Sequence, residues 1–252
     1  MIKRVHHIGV VVQDLATGYA FWRDTLGLPA IREAEVKDQG VRAALLACGS
    51  CEVELLEPLG PNTPVGRFLQ SRGEGLHHLC LESDDVYKDV GRFAGTGVEM
   101  IDARPRKGLA GMIAFIHPNS CAGILVEMAT PTEKAAHAQG PLTATVVHLI
   151  VENVQTATHL YRDMFGLPIR ISHPDWSVAQ LAAGEVALQL SSTTATAGKP
   201  GLSMLRLMTR DIADVAARLQ DATLAFRQDA VGLVLGPGPT RGVPLIIHRP
   251  QA

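Results

Sequence analysis

One pattern recurs four times along the chain and restricts the folds that it can adopt. The first three copies have an apolar strand, an amphipathic helix and three short strands, which together make a βαβββ unit, and the fourth repeats this order with two recognisable closing strands. The first and third helices end in the same tripeptide, Gly27-Leu28-Pro29 and Gly166-Leu167-Pro168. Because glycine and proline end helices, these tripeptides mark equivalent positions of a repeat. We therefore expect an α+β fold of four tandem βαβββ units.

The repeats predict where elements and domains begin and end. Asp14, Asp84 or Asp85, and Asn153 are the expected helix N-caps. Residues 131–141 have the composition of a linker, so the units pair into two domains, residues 1–130 and 142–252. The last strands of the second unit are expected near 98–102, 111–116 and 123–129, and those that close the fourth near 231–235 and 243–248.

Composition excludes some classes of function. The 252 residues are 46% hydrophobic, which suffices for a buried core, and a net charge of −2 does not suit nucleic-acid binding. No apolar run approaches the length of a membrane span, and the first residues lack the apolar segment of a signal peptide. Cys48-Gly49-Ser50-Cys51 has the spacing of a redox or zinc pair, but no second pair accompanies it. We expect reduced, half-buried thiols and a cytoplasmic protein.

Two polar residues return in each of the first two units. His7 and His78 are each the second histidine of a His-His pair that begins an apolar strand. Glu54 and Glu127 follow them at nearly equal separations, again inside apolar runs. Alternate strand residues share a face, so the preceding histidines should point the other way. We expect those two, His6 and His77, to pack or to support the others.

Two imidazoles and two carboxylates suit a divalent metal ion. A lone carboxylate is costly to bury among apolar neighbours, and these donor types bind Mn, Co, Ni, Fe or Zn with positions open for a substrate. The absence of a thiolate from the set speaks against structural zinc. Each histidine alone could be structural, and each glutamate alone could face solvent. The matched spacing favours one metal site made of His7, Glu54, His78 and Glu127.

Several segments together resemble the vicinal oxygen chelate superfamily, which contains glyoxalases, bleomycin resistance proteins and dioxygenases. They are Glu-Leu-Leu-Glu-Pro-Leu at 54–59, Gly-Leu-His-His at 75–78 and His-Pro-Asn-Ser-Cys-Ala-Gly-Ile-Leu-Val-Glu at 117–127. Within it, residues 4–129 look most like the methylmalonyl-CoA epimerases. The resemblance implies that His7, Glu54, His78 and Glu127 bind a divalent metal, often cobalt or manganese. It also implies that Glu127 helps to move the proton alpha to an acyl-CoA thioester.

The chain departs from this family at one position. Some members carry a glutamate on the strand after a Gln-Gly-Val turn, and this would supply a second acid or base. Here the turn is Gln39-Gly40-Val41 and the matching residue is Ala43, which leaves the second base unassigned. Three basic residues precede a later strand and could hold coenzyme A phosphates, although a solvated charged loop is the simpler interpretation. They are Arg104, Arg106 and Lys107.

The second domain looks like a more distant, glyoxalase-type member. Carrying the four ligand positions over leads to His148, Gln189, Met204 and His248. Methionine is a soft ligand, so this set is a poor site for a hard divalent metal. We expect a degenerate duplicate that keeps the fold without the metal. The pairing of two such domains predicts either a pseudo-dimeric monomer or a homodimer.

The resemblance and the residues leave several functions open. The first is a metal-dependent epimerase, an isomerase, acting on an acyl-CoA such as methylmalonyl-CoA. The second is a lyase similar to glyoxalase I that acts on a glutathione adduct, and the third is a small-molecule binding protein without catalysis. A dioxygenase is less favoured, because two-domain dioxygenases of this superfamily carry their iron ligands in the second domain. No nucleic acid or membrane is expected as a partner.

Overall fold

The structure is a computed structural model that describes residues 1–132, 139–196 and 198–250. Two eight-stranded sheets form its framework. The strands of the first are β1 Ile2–Val11, β2 Ala30–Val36, β3 Val41–Cys48, β4 Cys51–Pro58, β5 Gly75–Ser83, β6 Arg106–Gly108, β7 Gly111–Ile116 and β8 Val126–Thr130. Those of the second are β9 Thr143–Val151, β10 Ile169–Ser172, β11 Val178–Ala183, β12 Val186–Ser192, β13 Gly201–Met208, β14 Arg227–Asp229, β15 Gly232–Leu235 and β16 Leu245–His248.

Helices connect the strands at equivalent places in the repeat. The α-helices are α1 Leu15–Tyr19, α2 Pro64–Arg72, α3 Val86–Phe93, α4 Val154–Phe165, α5 Thr193–Thr196 and α6 Ile212–Asp221. A π-helical segment, Ala20–Thr25, continues α1, and 3₁₀ turns span Lys37–Gln39 and Pro118–Ser120.

Both sheets have the same topology. The first runs β2-β3-β4-β1-β5-β8-β7-β6, and the second runs β10-β11-β12-β9-β13-β16-β15-β14. In each, the opening strands of two consecutive units lie side by side at the centre, and the remaining strands extend outwards in mirrored order. The α+β prediction of four tandem βαβββ units paired in two sheets is therefore confirmed.

The helices begin where the sequence predicts. The side chains of Asp14 and Asn153 accept hydrogen bonds from the backbone N–H groups of Thr17 and Thr156. Of the two candidates for α3, Asp85 is the cap, and it accepts from the Lys88 N–H. Each bond satisfies a backbone donor that the first turn of a helix leaves without a partner.

One predicted strand, near 98–102, is wrong. Only Met100 in that stretch forms a bridge, to Ile116, and the edge of the first sheet is instead the short β6. The second sheet ends in an equally short strand, β14, which the sequence did not predict. Both edge strands are three residues long and lack alternating apolar residues, so hydrophobic periodicity carries no signal for them.

The chain packs into two compact units that are not contiguous in sequence. The first contains the described residues of 1–7, 78–135 and 146–203. Inside it, α3 contacts α4: Arg92 Nη1 donates a hydrogen bond to the Met164 carbonyl at 2.9 Å, and the Phe93 and Phe165 rings meet edge to face. Tyr161 is fully buried, and its hydroxyl donates to the Cys121 carbonyl at 3.3 Å.

The second compact unit contains the described residues of 8–77, 136–145 and 204–252. A turn near its end packs against the start of β5, where Arg241 lies 3.8 Å from the Glu74 carboxylate. Gly242 has a φ of +77° and contacts the Glu74 carbonyl, so a side chain there would meet both strain and overlap. The proposed domain bounds, 1–130 and 142–252, remain a prediction, and residues 133–138 of the predicted linker lie outside the described residues.

Two further expectations concern redox state and membranes. Cys48, Cys51, Cys80 and Cys121 are thiols and not disulfides, as expected, but they are buried where half-buried side chains were predicted. Burial raises the pKa of Cys48 to about 12, which makes its thiol a poor nucleophile. In the described part of the chain, no helix combines the length and apolar character needed to cross a membrane.

Two helical glycines provide a matched test of packing. In Gly66→Ala the new methyl group would overlap the Gly60 carbonyl oxygen, whereas a Cβ at Gly91 in α3 meets nothing within 4 Å. Alanine forms helix better than glycine by about 1 kcal/mol. We expect Gly91→Ala to raise the free energy of unfolding by up to about 1 kcal/mol, and Gly66→Ala to lower it. Urea denaturation measures both, and changes of the same sign would contradict this packing.

Candidate functional site

The two predicted histidine ligands meet inside the first sheet. His7 lies on β1 and His78 on β5, and these strands are neighbours at the centre of the sheet. Their Nε2 atoms are 3.0 Å apart, and both side chains are buried, with exposed fractions of 0% and 1%. The rings meet edge to face with centroids 5.1 Å apart. Two ring nitrogens therefore face one point.

Both predicted carboxylates come to the same place. Glu127 on β8 divides its oxygens between the histidines: Oε1 is 3.8 Å from His7 Nε2, and Oε2 is 3.8 Å from His78 Nε2. The ligand atoms of His7, Glu54 and His78 all lie within 4.8 Å of one another. Both glutamates are buried. The four side chains that the repeat singled out thus form one cluster.

The environment of His7 favours a neutral ring. Burial lowers the pKa of His7 to about 3, and the positive charge of Arg4 lowers it further. Its Nδ1 is 2.9 Å from His6 Nδ1, which is also buried. When His7 carries its proton on Nδ1 and donates it to His6, Nε2 is left as an acceptor towards His78. Ligand histidines commonly donate their other ring N–H in this way.

The arrangement fits a divalent ion. Two nitrogens that lie about 2.1 Å from one ion at right angles are about 3.0 Å apart, and at a tetrahedral angle they are about 3.4 Å apart. The observed 3.0 Å is close to both values, so both nitrogens can reach one ion. Two buried imidazoles with two buried carboxylates are also donors that a divalent ion of the first transition row accepts. The cluster therefore passes a test of both chemistry and spacing.

The structure adds neighbours to the cluster that the sequence did not single out. Cys80, two residues after His78, donates its S–H to Glu127 Oε1 at 3.3 Å. The Phe115 ring meets the His78 ring edge to face at 5.4 Å. Strand alternation places Cys80 on the face of His78, but its contact with Glu127 depends on β5 lying beside β8. By contrast, the ring of His77 meets the Phe68 ring edge to face, in agreement with a packing role.

The predicted phosphate-binding residues are not equivalent to one another. Arg104 and Lys107 are exposed. Arg106 lies on β6 and is half-buried, with Nε donating to Asp102 Oδ1 at 2.8 Å and its guanidinium 5.7 Å from the Phe115 ring centroid. The Asp102 carboxylate offsets the charge of Arg106. The two exposed side chains therefore carry most of the charge that this segment presents to solvent.

The structure also shows where the second glutamate of some family members would lie in this chain. Ala43 is buried on β3 opposite Leu56, and Leu45 is opposite Glu54 in the same ladder. Ala43 thus lies on the sheet face that bears Glu54, one pair of alternate residues away. Its methyl group carries no proton, so the structure agrees with the sequence that this position supplies no base.

The second sheet holds the degenerate set, with one correction. His148 and Gln189 are registered neighbours on β9 and β12, as expected of the first and second positions. On β16, however, the residue that corresponds to Glu127 is Ile246, not His248, because Leu205 pairs with Leu245 as Leu79 pairs with Val126. The error arose because apolar runs alone do not define strand register. An isoleucine at this position removes the carboxylate altogether.

Comparisons with known proteins identify the family of the chain. Residues 6–115 match the family model of the glyoxalase/bleomycin resistance protein/dioxygenase superfamily. The ethylmalonyl-CoA/methylmalonyl-CoA epimerase of Cereibacter sphaeroides is 32% identical over 131 residues, which are 98% of that protein and 51% of this chain. The chain belongs to this superfamily. An uncharacterized protein of Bacillus subtilis, YqjC, is 35% identical over 131 residues, 94% of its length and 52% of this chain.

Two solved structures are similar to the chain, one over about half of its length and one over nearly all of it. A variant of Streptomyces coelicolor methylmalonyl-CoA epimerase in complex with 2-nitronate-propionyl-CoA is 33% identical, with a TM-score of 0.51, and covers 53% of this chain and all of its own. A mutant of 4-hydroxymandelate synthase from the same organism covers 99% of this chain and 92% of its own, with a TM-score of 0.69 at 17% identity. This second likeness shows that both halves share the superfamily fold.

The half-buried position of His77 leads to a prediction for stability without added metal. Burial, and then the charge of Arg72, lowers the pKa of His77 to about 4. The unfolded chain takes up the proton near pH 6.5, so it binds more protons than the folded state between about pH 6.5 and 4. We expect the free energy of unfolding to fall as the pH decreases through this range. In His77→Asn the fall should be smaller, and equal slopes in urea denaturation series would contradict this.

Proposed function

We propose that the chain is a divalent-metal-dependent epimerase that removes and returns the proton alpha to the thioester of an acyl-CoA such as methylmalonyl-CoA. The observation that carries the proposal is the buried cluster of His7, Glu54, His78 and Glu127. The relatives that match the first half of the chain support it, because those with assigned activities at about 32% identity are acyl-CoA epimerases.

The four clustered residues would hold the ion. When bound, the ion supplies a positive charge that stabilises the negative charge developing on the thioester oxygen as the alpha proton leaves. This set of donors suits cobalt, manganese, nickel, iron or zinc. The apolar residues around the cluster strengthen this electrostatic effect, because they exclude water.

Glu127 is the residue that we assign to proton transfer. Its carboxylate would help to hold the ion and would accept the alpha proton on one face of the substrate. Inversion also needs a proton donor on the opposite face, and Ala43 does not provide one. In this proposal, that second acid is another side chain or a water molecule.

We assign the coenzyme A end of the substrate to the exposed basic residues Arg104 and Lys107. Cations of this kind attract phosphate, and among the described residues no carboxylate neutralises either of them as Asp102 neutralises Arg106. Arg106 then serves mainly to hold β6 and the ring of Phe115 beside the cluster.

A second candidate rests on the same departure at Ala43. A reaction that needs only one carboxylate base, as in a lyase similar to glyoxalase I, is compatible with a site that has Glu127 and no opposing glutamate. A cytoplasmic location, and a pseudo-dimeric monomer or a homodimer, remain predictions.

Isotope exchange tests the proposal. The protein is loaded with cobalt and incubated with methylmalonyl-CoA in heavy water, and deuterium at the alpha carbon is measured by mass spectrometry. We expect exchange well above the spontaneous rate and its loss in His78→Ala, because the variant lacks a ligand.

The neighbouring histidine provides the matched control. His77 lies on the same strand as His78, but its ring contacts Phe68 instead of the cluster. Deuterium exchange should therefore persist in His77→Asn. A protein that binds cobalt without catalysing exchange would overturn the epimerase proposal and favour a different chelate reaction. Failure to bind cobalt would favour a binding protein.

The missing base predicts how exchange and inversion differ. With a strong base on only one face, protons should exchange with solvent faster than the configuration inverts. Starting from one stereoisomer of methylmalonyl-CoA, we expect at least several deuterium exchanges for each inversion. Substituting Ala43→Glu should raise the inversion rate more than the exchange rate. Chiral analysis beside mass spectrometry measures both rates, and equal rates in the wild-type protein would show that a second base is already present.

A further inference from the structure

We propose that Cys80 is a positioning residue for Glu127, whose carboxylate it orients by donating its S–H to Oε1. The inference rests on the proposed function, since it concerns the orientation of a residue assigned as metal ligand and base. The contact is 3.3 Å long, and both side chains are almost fully buried.

Strand pairing fixes the contact. β5 and β8 run parallel, and Cys80 is registered directly beside Glu127. Registered residues of adjacent strands point to the same side of a sheet, so the thiol approaches the carboxylate whenever the sheet is formed. Cys80 also follows His78 on the same strand face. β5 therefore bears both the proposed ligand His78 and the donor Cys80, which orients the proposed ligand Glu127 on β8.

Without a hydrogen-bond donor, the orientation of the Glu127 carboxylate would be poorly fixed. The terminal torsion of a glutamate is broad, so the plane of its carboxylate is weakly determined by the side chain itself. Here the plane decides which oxygen faces which histidine, with Oε1 towards His7 and Oε2 towards His78. A hydrogen bond to Oε1 fixes that division. The bond is weak because thiols are weak donors, but the site is dry, which makes the bond stronger.

The surroundings of Cys80 leave little room for water to take its place. The thiol belongs to a buried cluster with Ala110, Ile113, Phe115 and Ala129. A carboxylate beside such a cluster is costly unless donors face it. A buried cysteine usually acts as a small apolar residue, but here its sulfur faces an oxygen.

The second sheet provides an internal comparison. At the positions that correspond to Cys80 and Glu127 it carries Arg206 and Ile246, which are again registered neighbours. Neither the thiol nor the carboxylate is present there. The buried leucines on either side of Cys80, Leu79 and Leu81, do have equivalents in Leu205 and Leu207. The two sheets thus agree in the apolar core and differ in the pair that we assign to the site.

Three variants test the inference: Cys80→Ala, Cys80→Ser and Cys121→Ala. Cys121 is the matched control, since it is equally buried and its contact to Tyr161 uses only the backbone carbonyl. Cobalt is titrated into each protein, and affinity and the visible d–d absorption of the bound ion are recorded. We expect Cys80→Ala to weaken cobalt binding by about tenfold and to change the d–d spectrum. Serine keeps a donor, so Cys80→Ser should recover much of both.

Activity gives a second readout. In the exchange assay, Cys80→Ala should lower kcat more than it changes KM, because the reoriented carboxylate is a worse base for bound substrate. Cys121→Ala should match the wild-type protein in spectrum, cobalt affinity and kcat, even if its thermal stability falls as much as that of Cys80→Ala.

The outcomes separate this inference from the proposed function. Wild-type affinity and spectrum in Cys80→Ala would overturn the positioning role. The expected spectral change without any exchange activity in the wild-type protein would uphold the role of Cys80 and overturn the epimerase proposal. A wild-type protein that takes up no cobalt would overturn both.

Discussion

The contact between the imidazoles of His7 and His78 is the constraint on which the site depends. Each ring is buried in an apolar sheet, where an unmatched donor or acceptor is costly. The rings meet because β1 and β5 are neighbours, and these strands are neighbours because two βαβββ units pair through their first strands. Duplication thus brings equivalent residues together at the centre of the sheet. A histidine at this position in each unit faces its own counterpart.

The same duplication allows the polar residues at equivalent positions of the two sheets to differ while the fold stays the same. The second sheet repeats the strand order of the first, yet it carries Met204 and Ile246 where the first carries His78 and Glu127. The fold requires apolar residues on the core face of each strand, and both sheets have them. The residues on the other face are free to change, so fold and site chemistry can separate within one chain.

Burial shapes the chemistry of the cluster in two ways. It keeps His7 neutral, so that the ring can act as a ligand without first losing a proton. It also strengthens each interaction of Glu127, including the weak hydrogen bond from Cys80, because the local dielectric constant is low in a buried site. Phe115 and Arg106 extend this shielding on one side, the first by contact with His78 and the second by lying over Phe115.

The sequence by itself determined the repeat, most helices and strands, and the four side chains that cluster. Periodicity and caps are local signals, so Asp14 and Asn153 could be recognised as helix starts from neighbouring residues alone. These four side chains were recognised because the repeat presents His and Glu twice at matched spacing. Only the tertiary structure decided that Cys80 lies beside Glu127, that Ile246 is the true counterpart of Glu127, and that β6 forms the sheet edge. These facts depend on which strands pair and in which register, and hydrogen bonds between distant segments leave no local pattern in the chain.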